Sequence, residues 1–568
     1  MKNLKRMLAI MLTCIMALTL GVVTGINAFA DDPATYKITI TPQDEEDHSY
    51  DAYQIFAGDL SDNILSNIVW GSGVKEEGLT AALAASDAFG TTNPFASVKS
   101  AEDVADVLAD ANTNYTTAEK DALLDTFCQF LAEGGFLADT ATASTGEAES
   151  DGTYVLSNLA AGYYLIDDTT DVAGTDSSKS RFMVEIVKNV EVTAKTTLPT
   201  LDKKINEGTG VSQNTASIGD DVPFILTSKV PDMTGYEKYF FIVNDTLCSG
   251  LTFNDDVIIT IGGKAIEDYT VSESNGEIKI VFNDFIQYLD QKDAAIEITY
   301  SAKVNEGADT TDAGNPNTAS LTYSNNPNVT PKGDNEPDDD DDDVIGETPD
   351  AKTITYVTNV QINKIDEAGK PLKGASFKLT GTAKFAHETT EGLYIPDAAG
   401  TYYLLKDGKF TTTAPTDATK AKYASTTTKY KFITDSDKIK EAKAIVLTAT
   451  SDDDGIVSFP GLGEGEYTIT ETAAPNGYNK LKDDITLTIT ATLSDTDGCE
   501  WSASVTPTAK VSVDNDTTLI EFDVENHQGT TLPTTGGIGT KLFYILGSLL
   551  VIGSAVVFVT KKRMAAAK

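Results

Sequence analysis

The residues whose types and spacing could do chemistry are unevenly placed. At the C-terminus, Leu532-Pro533-Thr534-Thr535-Gly536 precedes an apolar run from Leu542 to Val559 and then Lys561-Lys562-Arg563. Farther in lie Lys203, Asp245 and Asn317, then Lys364, Glu471 and Asn526, an amine, an acid and an amide in each set. Only three histidines occur, no Ser-His-Asp or Cys-His constellation stands out, and the paired acids lack the motifs of a hydrolase, so an enzyme is not expected. No Cys/His cluster has metal-ligand spacing, and neither a metal nor a cofactor is expected. Of the four cysteines, Cys14 falls in a segment expected to be removed. Cys128, Cys248 and Cys499 remain, an odd set too widely spaced for a disulfide framework. If the protein works outside the cell, something else must supply covalent reinforcement.

The two ends give the address. Lys2, Lys5 and Arg6, the apolar stretch Met7 to Val23 and the small-x-small site Ala28-Phe29-Ala30 read as a signal peptide over residues 1–30, cleaved between Ala30 and Asp31. The run from Leu542 to Val559 rises roughly 27 Å as a helix, enough to cross the hydrocarbon core of a bilayer. The basic tail then holds the end on the cytoplasmic side. Pentapeptide, span and tail in this order, over residues 531–568, resemble the sorting signal of sortase substrates. The resemblance implies that a sortase cysteine attacks the carbonyl of Thr535, releases Gly536 onward and leaves a thioester that an amine resolves. A peptidoglycan amine would give a wall-anchored monomer, and a lysine of another copy a polymer. The chain is therefore expected to be secreted, held briefly at the membrane and then fixed at the cell surface. With 43 Lys and Arg against 86 Asp and Glu, its formal charge of −43 excludes nucleic acid as a partner.

Between the ends the sequence predicts a mainly β chain of three tandem immunoglobulin-like sandwiches, the first with some helix. The first domain covers 31–196. Tyr36 to Ile40 alternates as a strand, and a helix is predicted over 117–133, with Thr116 and Glu119 as a capping box and Gly134 as its stop. Cys128 lies on that helix's apolar face and reads as core. The middle domain covers 197–332, with a strand over 295–300. An acidic linker follows over 333–351; its run Asp338 to Asp343 reads as a solvated spacer, lacking the alternating ligands and glycine of an EF-hand. The third domain covers 352–530 and holds a long insertion from about 380 to 450.

The third domain carries the clearest family likeness. Val360-Gln361-Ile362-Asn363-Lys364-Ile365-Asp366 opens it, Gly465-Glu466-Tyr467-Thr468-Ile469-Thr470-Glu471 lies in the middle, and Phe522-Asp523-Val524-Glu525-Asn526 closes it. These segments resemble a collagen-adhesin B-type domain, with Glu471 in the pilin E-box. The resemblance implies that Lys364 attacks the side-chain amide of Asn526 to form an intramolecular isopeptide bond, with Glu471 as the acid. The physics is consistent, because burial lowers a lysine's pKa toward the neutral nucleophile and keeps a carboxyl group protonated. The middle domain, with Asp202-Lys203-Lys204-Ile205, Asn244-Asp245-Thr246-Leu247 and Asn317-Thr318-Ala319-Ser320, resembles the adhesin A-type domain of backbone pilins. There Lys203 would bond an Asn near the end, Asn317 in preference to Asn325, with Asp245 as the acid. In the first domain Gly162-Tyr163-Tyr164-Leu165-Ile166-Asp167-Asp168 echoes the E-box with Asp168 in the acid's place, but no Lys and Asn partners stand out and no bond is expected.

At the junction, Val192-Thr193-Ala194-Lys195-Thr196 resembles in its position the pilin motif, whose lysine accepts the sorting-signal threonine of the next subunit. Ala194 and Thr196 replace its flanking Pro and Asn. Lys195 is the expected acceptor of the next subunit's Thr535, and Lys188 its rival. The reading that results is the backbone subunit of a sortase-assembled pilus. Its expected partners are other copies of itself, a pilus sortase and a housekeeping sortase and peptidoglycan, with minor pilins and host surface ligands as further candidates. The alternatives are a monomeric wall-anchored adhesin for host matrix and a minor pilin.

Overall fold

The computed structural model describes residues 35–42, 47–90, 92–172, 175, 177–194, 198–207, 210–233, 236–327, 329–338, 341, 344–494, 498–507, 509–529 and 539–565, and all that follows concerns these. The signal peptide with Ala30 and Asp31, the junction residue Lys195 and the pentapeptide Leu532 to Gly536 lie outside the described residues. Strands make up 44% and helices 15% of the chain, so it is mainly β. Three sandwiches follow one another.

In the first, strands Ile64–Trp70, Tyr50–Ser61, Gly162–Asp168 and Arg181–Ile186 form one sheet in that order, and Tyr154–Leu159, Tyr36–Thr41 and Val190–Thr193 the other. Ile38, Ile40, Tyr164, Ile166 and Val192 share the core between them. The opposite face of the larger sheet is covered by helices Leu79–Ala85, Ala101–Asn114 and Thr117–Glu133, around Phe56, Phe127 and Leu131. With both faces covered, the strand Gly162–Asp168 is buried at six of its seven positions instead of at alternate ones. The long helix starts on the Thr116–Glu119 capping box and ends at Gly134, where a Cβ would meet the Phe130 carbonyl oxygen at 2.6 Å. Cys128 is buried in that core.

The middle sandwich packs a sheet ordered Gln213–Thr215, Ala351–Tyr356, Asn315–Ser324, Phe241–Leu247, Glu277–Phe282 and Tyr269–Ser274 on one containing Ile258–Ile261, Ala295–Val304, Asp221–Lys229 and Asp202–Ile205. Two sequence expectations change here. Residues 333–351 are no separate spacer. Ile345–Glu347 pairs with Thr322–Ser324, and Asp341, buried in the acidic run, accepts backbone N–H groups of Lys332, Gly333 and Asp338 at 2.8 to 2.9 Å. Nor does the C-terminal sandwich begin at 352. Ala351–Tyr356 is a middle-domain strand, paired antiparallel with Asn315–Ala319, and only Val357 separates it from the next domain's first strand, Thr358–Ile365.

The C-terminal sandwich has sheets ordered Ile456–Leu462, Thr358–Ile365, Leu519–Glu525, Val511–Asp514 and Ala444–Thr450, Ser376–Thr382, Gly465–Ala473, Ile485–Ser494, Gly498–Thr506. The insertion is the excursion 383–443 between two adjacent antiparallel strands. It forms its own three-stranded sheet (Glu388–Thr389, Gly392–Pro396, Tyr430–Ile433) and the helix Ser436–Ala442. Beyond the sandwiches, Gly539–Ala565 is one helix. Its apolar stretch Lys541–Met564 is fully exposed and, at 24 residues, long enough to cross a bilayer.

Candidate functional site

Strand pleating decides which lysines enter the core. Side chains on a strand alternate between faces, and in Thr358–Ile365 the inward places fall on Thr358, Val360, Ile362 and Lys364. The same alternation aims Tyr467, Ile469 and Glu471 inward from Gly465–Ala473, and Ile520, Phe522 and Val524 from Leu519–Glu525, with Asn526 next in the series. The first and last strands lie parallel as neighbours, Lys364 opposite Val524, and Asn526 N–H donates to the Ile365 carbonyl at 3.0 Å. Lys364, Glu471 and Asn526 are all at most 1% exposed.

Within this group Asn526 Nδ2 donates to Glu471 Oε2 at 3.2 Å and to the Asn479 carbonyl at 2.6 Å, while Leu481 N–H donates to Glu471 Oε2 at 2.6 Å. Lys364 Nζ finds only the carbonyl oxygens of Val524 (2.8 Å) and Ile365 (3.2 Å). Burial lowers its pKa to about 8, against the opposing pull of the Glu471 charge. Glu471 Oε1 and Asn526 Oδ1 are buried without a hydrogen-bond partner.

The middle domain repeats the arrangement with one addition. Lys203 and Ile205 are the inward residues of Asp202–Ile205, and Lys204 points out. Asp245 comes from Phe241–Leu247 and Asn317 from Asn315–Ser324, two strands paired in one sheet. Lys203 Nζ donates to Asp245 Oδ2 and, at 2.8 Å, to Tyr300 Oη; Tyr300 donates to Asp245 Oδ2 at 2.6 Å and accepts from Asn317 Nδ2 at 2.7 Å. The rings of Phe224 and Tyr300, stacked 5.2 Å apart, lie 5.2 and 5.3 Å from the ammonium. Burial lowers the Lys203 pKa against the pull of Asp245, and raises that of Tyr300, which keeps its proton to donate. Again one carboxyl oxygen, Asp245 Oδ1, and the amide oxygen, Asn317 Oδ1, are buried and unpartnered. Asn325 is elsewhere. Its Nδ2 donates to the Val172 carbonyl at 2.6 Å and its own carbonyl accepts from Lys179 N–H at 2.8 Å, so it ties the middle domain to the first. Tyr300 had no role in the sequence reading. Its only signal there was a hydroxyl on the inward face of an alternating strand.

In the first domain Asp168 is buried as its place in the motif demands, but it faces an imidazole. His48 Nδ1 lies 2.9 Å from Asp168 Oδ2, and Thr170 Oγ1 donates to Asp168 Oδ1. His48 stacks on Tyr50 with centroids 5.5 Å apart. Among the described residues no group of His, Cys, Asp and Glu could hold a metal ion.

Residues 358–498 match the SpaA family, a prealbumin-like fold domain, and residues 524–565 the LPXTG cell wall anchor motif. The chain is 29% identical over 403 residues to the trypsin-resistant surface T6 protein of Streptococcus pyogenes serotype M6, covering 66% of this chain and 70% of that one. It is 32% identical over 114 residues to platelet adherence protein A of Streptococcus gordonii, covering 20% of this chain and 3% of that much longer one. In three dimensions it is similar to the T6 backbone pilin of the same S. pyogenes serotype, with a TM-score of 0.50 and 17% identity, over 89% of this chain and all of that one. Tandem sandwiches with a SpaA domain and an LPXTG anchor define a cell-wall surface protein of structural type. In its SpaA domain, its anchor motif and its fold the chain is similar to the backbone pilins of Gram-positive surfaces.

Proposed function

We propose that this subunit builds a covalent shaft in which Lys195 of one copy accepts Thr535 of the next from a pilus sortase, and a housekeeping sortase passes the last copy to peptidoglycan. Two internal bonds, Lys364 to Asn526 and Lys203 to Asn317, reinforce each subunit. The observation that carries this reading is that both lysine-acid-amide sets are buried together inside their sandwiches, each lysine coming from its domain's first strand. In each, neutral Nζ attacks the amide carbon, the new C–N bond forms, and the acid relays the proton that lets the amide nitrogen leave as ammonia. The chemistry happens once per bond and is structural, with no turnover. Contact between copies is head-to-tail and does not close, which makes a filament.

Wall extracts boiled in detergent and run on a denaturing gel test the linkage. A high-mass ladder in wild type that collapses to monomer in a Lys195→Ala strain is expected. A ladder that survives moves the acceptor, with Lys188 next, and no ladder in either strain points to a monomeric adhesin. Intact mass of the secreted chain tests the internal bonds, since each releases one ammonia.

A further inference from the structure

If the two internal bonds form, which is the reading just given, tension between residues 195 and 535 runs through covalent short cuts from Lys203 to Asn317 and from Lys364 to Asn526. One stretch in between has none. From Asn317 the chain follows its strand to Ser324, pairs again at Ile345–Glu347 and returns as Ala351–Tyr356, which places Thr353 directly opposite Asn317. Pulling on Lys364 would therefore peel this return strand pair by pair, the weak direction of a ladder. Residues 325–363 would then pay out at most roughly 130 Å of chain.

The insertion 383–443 touches the C-terminal core at Ala383 and Phe385 and then reaches back onto the middle domain. Lys384 N–H donates to Asp220 Oδ1 at 2.8 Å, Ala386 N–H to Asp221 Oδ2 at 3.1 Å, and Asp221 N–H to the Lys384 carbonyl at 3.0 Å. His387 Nε2 stands 3.0 Å from Asp256 Oδ2, a carboxylate also held by Ser301 N–H and Oγ. Lys406, 6% exposed, places its ammonium 3.6 Å from the Tyr269 ring centroid and donates to the carbonyls of Glu267 (2.8 Å) and Tyr269 (2.6 Å). A second contact closes the junction itself. Ile218 N–H donates to the Gly461 carbonyl at 2.8 Å, and Ser217 Oγ lies 2.9 Å from Tyr467 Oη. Gly461 is required there, since a Cβ would meet Ile218 Cδ1 at 2.1 Å.

We propose that the insertion is a clamp that carries tension from the C-terminal to the middle domain, so that the uncrosslinked return strand stays folded until the clamp opens. Lys406 is its anchor. Its stem and ammonium are buried in a neighbouring domain, which costs free energy unless the contact is kept.

The test is single-molecule pulling on the full chain in detergent, through tags inserted at residues 195 and 535. Wild type is expected to show one step of at most roughly 130 Å between fixed internal bonds. Lys406→Met, which keeps the apolar stem but loses both hydrogen bonds, is expected to shorten the lifetime before that step at constant force by about tenfold or more. Lys431→Met, on the insertion's own sheet, is the control and is expected to leave it unchanged. An unchanged lifetime in Lys406→Met, in molecules whose intact mass shows both bonds, overturns the clamp. Failure of the underlying reading looks different: steps several times longer, from 113 residues between Lys203 and Asn317 or 161 between Lys364 and Asn526, would appear in wild type.

Discussion

The first and C-terminal sandwiches close in the same way but differ in what they place at the closure. In both, the first and last strands lie parallel: Ile40 is opposite Val192 as Lys364 is opposite Val524. Two residues farther on, Ala194 N–H donates to the Thr41 carbonyl at 2.9 Å, just as Asn526 N–H donates to that of Ile365. By register, then, the reactive lysine's place in the first domain is held by Ile40 and the asparagine's by Ala194, both buried, while the acid survives as Asp168 with His48 as its partner. The difference matches the path of force in the proposed shaft. Joined from Lys195 to Thr535, it would pull on everything after residue 194 and leave the first domain beside that line. A covalent tie there would resist nothing.

The largest break in this comparison is at the acids. Glu471→Ala is expected to abolish the C-terminal bond, so intact mass rises by one ammonia beyond the substitution itself. It also opens a loop of 161 residues. By analogy with disulfide loop closure the bond contributes on the order of 5 kcal/mol, a drop of roughly 10–20 °C in that domain's Tm by calorimetry. Asp168→Ala in the first domain is expected to change no bond count at all.

The middle domain separates two asparagines of similar burial. Asn317→Ala is expected to lose one ammonia-releasing bond by mass. Asn325→Ala is expected to keep it and to cost only the side chain's hydrogen bond to the Val172 carbonyl, about 1–3 kcal/mol, visible as faster proteolysis at the first junction. A chain in which Asn325→Ala alone removed the bond would reverse the assignment.

Legibility followed the range of the interactions. Lys364, Glu471 and Asn526 could be found because the short segments around them resemble a known domain family, and the helix Thr117–Glu133 because its cap is local. Asp341 could not be read as buried, since what buries it is backbone N–H groups of residues up to nine positions away, folded around it. Tyr300 and His48 are placed by strand pairing, His48 lying 120 residues from Asp168. The insertion's role was illegible for the same reason, because Lys406 acts on carbonyls nearly 140 residues earlier. The expected acceptor Lys195 and the sorting motif fall outside the described residues.

A gentler probe is pH. The attacking form of Lys364 is the neutral amine, and with a pKa of about 8 its fraction falls as pH drops below that value. Unbonded chain refolded from inclusion bodies is therefore expected to form the C-terminal bond about tenfold faster at pH 7 than at pH 6, levelling off above pH 8, as followed by mass against time. A rate independent of pH across this range would mean that removing the lysine's proton is not what limits the reaction.

The smallest effect, and the most direct test of the register argument, is to rebuild the missing site. Ile40→Lys with Ala194→Asn restores the lysine and the amide at the two matched positions. Asp168 is already engaged by His48 and Thr170, so the double variant is expected to release a third ammonia in only a minor fraction of molecules. Adding His48→Phe frees the carboxyl and keeps an aromatic ring against Tyr50, and that fraction is expected to rise. Peptide mapping would locate the new link between residues 40 and 194. If the triple variant folds and shows no third bond, matched backbone register and a free acid do not suffice, and the enclosure around the lysine, which Phe224 and Tyr300 supply in the middle domain, is the missing requirement.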